Sequence, residues 1–206
     1  MNWSEHNIAR AIARQTLARK CVVLVDNCSW TGHECDVLAV TKDLRIIDIE
    51  VKISRADFKA DAKKEKWFDR IFQGYSERRE VFNTAGRLVG VSSTALYDVQ
   101  PLVHPRKVWK HYYAMPADIW RPELVDFLPS PASGVLLVRE QRNSTTPIAV
   151  ECIRRSTPAK DAYVLKPAEA IDIARLANLR MWESYRQAEA DRDALRRVEP
   201  SARACA

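Results

Sequence analysis

Several features that mark common classes of protein are missing from the sequence. Its five cysteines are an odd number and none has Cys-x-x-Cys spacing, so we expect free thiols in a reducing compartment. No apolar run reaches the roughly 20 residues of a membrane span. The N-terminal residues lack the apolar stretch of a signal peptide, and none of the five glycines builds a phosphate-binding loop. The sequence therefore predicts a cytoplasmic protein with no membrane association.

The spacing of a standard zinc finger is missing as well. Cys28, His33 and Cys35 lie close together in the sequence, but they match no known finger and no fourth ligand is evident. We interpret this segment as a turn flanked by small buried thiols.

What the sequence does contain is typical of a globular protein. Its 206 residues are 47% hydrophobic and 29% charged, which is enough for one domain with a substantial core. The net charge of +6 is compatible with a polyanionic partner, although many basic proteins bind no nucleic acid.

The clearest pattern lies in residues 35–61, where two strands flank a polar turn. Side chains alternate between the faces of a strand, so the second strand has an apolar face and a charged face. If the turn centres near Asp43, antiparallel pairing sets Asp36 opposite Glu50, with Cβ atoms roughly 5 Å apart. Two carboxylates at that distance repel unless a cation lies between them. The apolar face holds Ile47, Ile49, Val51 and Ile53, and the charged face holds Asp48, Glu50 and Lys52.

Hydrophobic periodicity predicts the remaining elements. We expect a fold of the α/β class, with a mixed central β-sheet flanked by helices, an insertion and a long C-terminal helix. The predicted helices cover 4–18, 54 to about 71, and 166 onward. The predicted strands cover 21–25, 34–40, 45–53, 109–115, 134–139 and 149–154, with a short helical or turn segment over 122–128.

The Asp36…Glu50-x-Lys52 arrangement resembles the PD-(D/E)xK nuclease superfamily, whose fold is restriction-endonuclease-like. The order of elements matches over about 4–72 and 109–140. The usual Pro-Asp dipeptide is absent, because Cys35 precedes Asp36. The resemblance implies residues 1–165 as a nuclease-like domain with an insertion at about 73–108, and 166–206 as a C-terminal helix and polar tail.

A second resemblance is to the MmcB-like group of bacterial DNA repair proteins and their phage relatives. There an E-x-K strand runs into an S-x-x-D-F-x-x-D helix with a nearby Lys-Trp, and an aromatic strand ends in Ala-x-Pro. The matching residues here are Ser54, Asp57, Phe58, Asp61, Lys66, Trp67, Tyr112, Tyr113, Ala114 and Pro116.

Both resemblances imply a Mg²⁺-dependent deoxyribonuclease, with Mn²⁺ as a substitute. Asp36 and Glu50 supply the hard oxygen ligands that these ions prefer. The resemblance adds the Val51 carbonyl as a third ligand and Glu5 as an optional fourth member. Glu5 fits equally well as a first-turn charge favoured by the helix dipole. Lys52 would position or deprotonate the attacking water, or stabilise the phosphate.

Several expectations remain open at this stage. The charged face of the hairpin is also compatible with a solvated surface. Asp48, on the same face, is expected as a rim charge, or as a ligand in place of Glu50 if the register is shifted. A nuclease fold that binds DNA or a partner without cleaving is an alternative to the enzyme, and a homodimer through the C-terminal helix is another. The residues that we expect to follow a DNA backbone are Lys59, Lys63, Lys64, Lys66, Arg78 and Arg79.

Overall fold

A computed structural model describes residues 2–142 and 146–203, with the side chains of 197–203 left aside. It confirms an α/β fold with a mixed six-stranded sheet and a long C-terminal helix. The helices are α1 (Glu5–Ile12), α2 (Arg55–Ala60) and α3 (Pro167–Arg203). The strands are β1 (Cys21–Cys28), β2 (Cys35–Thr41), β3 (Ile46–Val51), β4 (Phe68–Tyr75), β5 (Arg79–Phe82), β6 (Leu88–Ser92), β7 (Ala95–Pro101), β8 (Val108–Pro116), β9 (Gly134–Glu140) and β10 (Ile148–Arg154).

The central sheet has the order β1-β2-β3-β8-β9-β10. Strands β3, β8 and β9 are parallel neighbours, and the other pairs are antiparallel. Strand β1 is an edge strand that runs on to Cys28, so it is longer and less buried than the predicted strand over 21–25. The parallel strands at the centre are covered on both faces, as parallel strands usually are.

Helix α1 covers one face of the sheet. The Ser4 side chain accepts from the Asn7 backbone and the Asn7 side chain accepts from the Ser4 backbone, which completes a capping box. The helix buries Ile8 and Ile12 against alternate residues of β2 and β3. A π-helical turn over Ala13–Leu17 continues it close to the predicted end.

Helix α3 packs on the opposite face, beside β1. Ile173 is fully buried there with Leu38 and Ile46 of the sheet. Farther along the helix, large apolar residues such as Leu179 and Trp182 are exposed. Within the described ranges, no helix has the combined length and apolar character that crossing a membrane requires.

The predicted helix over 54–71 is wrong in its second half. Helix α2 ends at Ala60, and two 3-10 turns follow, Asp61–Lys63 and Glu65–Trp67. Tight turns win over a regular helix because Asp61 and Trp67 are both buried, and the Trp67 indole donates to the Asp61 carboxylate at 3.2 Å. Ile71, at the end of the predicted helix, lies on β4 and is 41% exposed.

The insertion expected at about 73–108 overlaps a β-arm over 68–101 that is made of two strand pairs. Strand β4 pairs with β7 and β5 pairs with β6, both antiparallel. Neither pair joins the central sheet. Apolar side chains of the β-arm, such as Phe72 and Tyr97, are about half exposed.

Candidate metal and phosphate site

The β2–β3 hairpin has the predicted register. The paired residues run from Val37↔Ile49 to Val40↔Ile46, and continuing by one residue sets Asp36 opposite Glu50. A tight turn closes the hairpin, with Leu44 at a φ of 55° and its amide donating to the Thr41 carbonyl at 3.0 Å. The structure therefore brings the two predicted ligand carboxylates to the same face of adjacent strands.

The charged face of the hairpin is buried, not solvated. Glu50 is 2% exposed, and its two oxygens contact lysines: Oε1 lies 2.6 Å from Lys66 Nζ and Oε2 lies 3.1 Å from Lys52 Nζ. Lys64 Nζ lies 3.5 Å from Oε2. Asp48 is fully buried as well, so the expectation of a rim charge is wrong. Carboxylates this deep in a protein need partners, which lysines supply for Glu50 and His33 supplies for Asp48, at 3.3 Å.

Asp61 is the second carboxylate of this buried network. Its oxygens contact Lys64 at 2.8 Å, Lys52 at 3.1 Å and Lys66 at 3.5 Å. The Tyr113 hydroxyl donates to it at 2.5 Å. Burial alone would raise the pKa of Asp61, but Lys66 and Lys52 hold it well below its ordinary value.

Lys52 stays positively charged in this setting. Burial would lower its pKa, yet Glu50 and Asp61 raise it above the ordinary value of a lysine. Asp57 adds a longer contact at 3.7 Å. A lysine with a raised pKa donates hydrogen bonds and stabilises negative charge, and it is a poor general base near neutral pH.

Asp36 lies nearer to solvent than Glu50, and the charged groups around it differ from those around Glu50. Its Oδ2 accepts from the Val51 amide at 2.6 Å. Burial and the Glu50 carboxylate raise the pKa of Asp36 to about 6, with a smaller contribution in the same direction from Glu5. The Glu5 carboxylate at the start of α1 therefore lies within electrostatic reach of the hairpin. This corner has an excess of negative charge that a bound cation would offset.

The predicted DNA-contacting residues fall into four groups. Lys59 and Lys63 are exposed on or just after α2. Lys64 is half exposed and belongs to the buried network as well. Lys66, which was predicted to follow a DNA backbone, is buried instead, because it neutralises Glu50. The remaining two, Arg78 and Arg79, are exposed far along the β-arm.

A cleft of about 500 Å³ opens beside the network. Its walls come from the loop between β1 and β2, from the 3-10 turns, and from the base of the β-arm. Lys64, Arg70 and Arg106 line it, as does His33. Arg70 pairs with Glu65 at 2.7 Å and Arg106 pairs with Asp69, so two of these cations are already partly neutralised.

A second cluster lies next to the network, and it contains two of the three residues, His33 and Cys35, for which the sequence analysis set a zinc site aside. His33, Cys35 and Asp48 bring one imidazole nitrogen, the thiol sulfur and one carboxylate oxygen within 4.8 Å of one another. His111 of β8 faces Asp48 in the parallel register. Burial, opposed by Asp48, lowers the pKa of His111 to about 4, so the ring is neutral at physiological pH. Asp48 and His111 lie 15 and 78 positions after His33, and no local spacing signals that they meet His33 and Cys35.

Comparison with known proteins adds little. No protein-family model matches the chain, and no curated protein matches it. Among solved structures the chain is similar to SPO1766, a protein of unknown function from Silicibacter pomeroyi. The two are 20% identical, the match covers 94% of this chain and 95% of that one, and the TM-score is 0.48. A likeness at this level carries no functional argument, so the function is argued from the site alone.

Proposed function

We propose that the protein is a Mg²⁺-dependent deoxyribonuclease of the PD-(D/E)xK kind, with Mn²⁺ as an alternative ion. The observation that carries this proposal is the Asp36 carboxylate, which is held near Glu50 and Glu5 with no lysine in ion-pair contact among the described residues. Hard oxygen donors in a corner of excess negative charge suit a hard divalent cation.

Asp36 and Glu50 would hold the ion, with the Val51 carbonyl and Glu5 as the further ligands that the family resemblance suggests. The ion would polarise a phosphate oxygen and lower the pKa of water. Lys52 remains charged between Glu50 and Asp61, so its role is to orient water or to stabilise charge on the phosphate. This favours the positioning role of Lys52 over a role as general base.

DNA is the polyanion that we propose as substrate. The exposed Lys59 and Lys63 lie on the surface of the segment that carries Asp61, and the cleft beside the network is lined by Lys64. Arg78 and Arg79 would extend the basic surface along the β-arm. Contacts of this kind bind the phosphate backbone without reading the sequence, and they weaken as salt increases.

A second function has one observation in its favour. Both oxygens of Glu50 already contact lysines, and Lys66 does so from a buried position at 2.6 Å. A site whose carboxylate is neutralised by the protein's own lysines would bind DNA or a protein without cleaving DNA. For Glu50 to take a metal ion, the half-exposed Lys64 would have to withdraw from Oε2.

The test is cleavage of linear duplex, single-stranded, nicked and branched DNA in Mg²⁺ or Mn²⁺. We expect Asp36→Asn to reduce cleavage by about 100-fold or more, since a metal ion supplies several kcal/mol of transition-state stabilisation. The matched control is Asp43→Asn, in the exposed turn of the same hairpin. Lys52→Ala is a poor control, because the loss of a buried cation would disturb folding.

Isothermal titration with Mn²⁺ separates the two candidates. The nuclease requires stoichiometric Mn²⁺ binding that Asp36→Asn abolishes. DNA binding without cleavage of any substrate and without Mn²⁺ binding would reject the nuclease and leave the binding protein.

A further inference from the structure

The His33, Cys35 and Asp48 cluster is built from three neighbouring parts of the fold. His33 lies in the loop before β2, Cys35 begins β2, and Asp48 lies in the middle of β3. His33 Nε2 lies 3.3 Å from Asp48 Oδ2, and the Cys35 sulfur lies within 4.8 Å of both donor atoms. Donor atoms about 2.0–2.1 Å from a tetrahedral ion lie about 3.3 Å apart, which is the separation of His33 Nε2 from Asp48 Oδ2.

A fourth side chain points to the same place. His111 is 1% exposed, and its Nε2 lies 3.9 Å from Asp48 Oδ2, too far for a hydrogen bond. Among the residues that the structure describes, this nitrogen has no hydrogen-bond partner, and neither does Asp48 Oδ1. Buried polar atoms without partners are rare, because each costs about 1–3 kcal/mol. His111 Nε2 thus lies beside the Asp48 carboxylate of the cluster, and a cation bound between them would satisfy both unpartnered atoms.

We propose that His33, Cys35, Asp48 and His111 form a second metal site, selective for Zn²⁺ or a similar transition-metal ion. The site is distinct from the proposed Mg²⁺ site, because the two sites have no ligand residue in common. Two imidazoles, one thiolate and one carboxylate are the donors that Zn²⁺ takes in tetrahedral sites. Mg²⁺ prefers oxygen ligands in an octahedron, so the same four residues disfavour it.

Charge and protons balance in this site. Binding requires the Cys35 thiol to lose its proton to solvent, so one proton is released for each ion bound. The resulting thiolate and the Asp48 carboxylate together offset the two positive charges of the ion. Lys66 is the nearest cation that would oppose binding, and its charge is already countered by Glu50 at 2.6 Å and Asp61 at 3.5 Å.

The surroundings orient the ligands. His111 Nδ1 lies 3.0 Å from the Ser133 hydroxyl, and a hydrogen bond at Nδ1 leaves Nε2 free to coordinate. The Thr31 hydroxyl donates to the His33 carbonyl at 2.9 Å and lies 3.5 Å from the Cys35 sulfur. Metal-binding histidines usually have such outer partners, which fix the ring and its tautomer.

A metal ion here would tie the β1–β2 loop to the centre of the sheet. His33 is the one ligand with access to solvent, at 15% side-chain exposure, and it lines the cleft beside Lys64 and Lys66. The ion would enter through that cleft. Once bound, it would hold one wall of the cleft at a fixed distance from the buried lysine–carboxylate network.

The experiment is titration of the reduced, metal-free full-length protein with Co²⁺, followed by competition with Zn²⁺. We expect one equivalent of Co²⁺ to give the intense visible bands of tetrahedral coordination and the near-ultraviolet charge-transfer band of a thiolate ligand, and Zn²⁺ to remove both. Cys35→Ala should abolish the charge-transfer band. His33→Ala should weaken binding by more than about 100-fold, because loss of an outer partner alone costs 10–100-fold.

Two control variants make the result specific. Cys152→Ala removes an exposed free thiol and should leave the spectrum unchanged. Asp36→Asn should also leave it unchanged, which separates this site from the proposed Mg²⁺ site. The proposal is overturned if the wild-type protein binds no stoichiometric Co²⁺, or if the charge-transfer band survives in Cys35→Ala. His33 is in a loop, so His33→Ala tests the site even if Cys35→Ala does not fold.

Discussion

Replacing Asp36 with asparagine should make the metal-free protein more stable at neutral pH. The pKa of Asp36 is about 6, against an ordinary value of 3.8, because burial and Glu50 oppose its charge. Each tenfold change in an ionisation constant corresponds to 1.36 kcal/mol, so the full shift is equivalent to about 3 kcal/mol, and solvent screening of the partly exposed carboxylate reduces the cost of keeping it ionised to about 2–3 kcal/mol. The asparagine removes this cost and weakens the hydrogen bond from the Val51 amide by about 1 kcal/mol. We expect a net gain of about 1–2 kcal/mol.

The sign of the pH dependence follows from the raised pKa. A carboxyl whose pKa is higher in the folded state destabilises the fold above that pKa, and the effect fades as the group becomes protonated. The advantage of Asp36→Asn should therefore be complete at pH 7.5 and should shrink as the pH falls through 6 toward 4. Urea denaturation of both proteins in the presence of a chelator, at pH 7.5 and pH 4.5, measures this difference.

Added metal should reverse the order of stability. Mg²⁺ or Mn²⁺ that binds the folded state alone stabilises the wild type in proportion to its binding, and it should leave Asp36→Asn unchanged. The reasoning is refuted if the asparagine variant is less stable than the wild type at pH 7.5 in chelator. It is equally refuted if the difference between the two proteins does not depend on pH.

Two further predictions concern the buried charge network and the packing of the core. Lys52→Met should lower the free energy of unfolding by about 3–5 kcal/mol, because Glu50 and Asp61 lose a buried partner. Adding Asp61→Asn should then cost less than it does in the wild type, and strict additivity in a urea double-mutant cycle would contradict the network. Gly134→Ala should lower the melting temperature by about 5 °C or more, since its Cβ would meet the Tyr112 ring and lie 2.7 Å from Ser156 N. Gly90→Ala, where the Cβ meets nothing within 4 Å, is the control and should melt within about 1 °C of the wild type.

The hairpin could be predicted because its information is local. A short polar turn fixes the register of an antiparallel pair, and the register sets Asp36 opposite Glu50. Alternation likewise assigned Asp48 to the same face as Glu50. What alternation cannot give is whether a charged face is solvated or buried, since that depends on which distant segment covers it.

The distant segments are where the sequence-based predictions failed. Lys66 lies in a run of lysines, which normally marks a solvated surface, and its burial depends on two carboxylates that reach it only in the folded chain. His111 meets Asp48 through a parallel pairing across the whole β-arm, so no spacing in the sequence signals it. The helix over 54–71 was extended too far for a related reason, because Trp67 is buried by a turn and not by continued helical periodicity.

The β-arm leaves and re-enters the core at a single point. Phe68 and Pro101 are paired residues, so the 32 residues that separate them form a segment whose two ends meet beside the central sheet. The entropy cost of closing a loop grows only slowly with its length, which means that such a segment can lengthen or shorten at little expense to the core. The length and surface chemistry of the β-arm can therefore change without altering the register of β3 against β8, which places Asp48 beside His111 and Glu50 beside Tyr113.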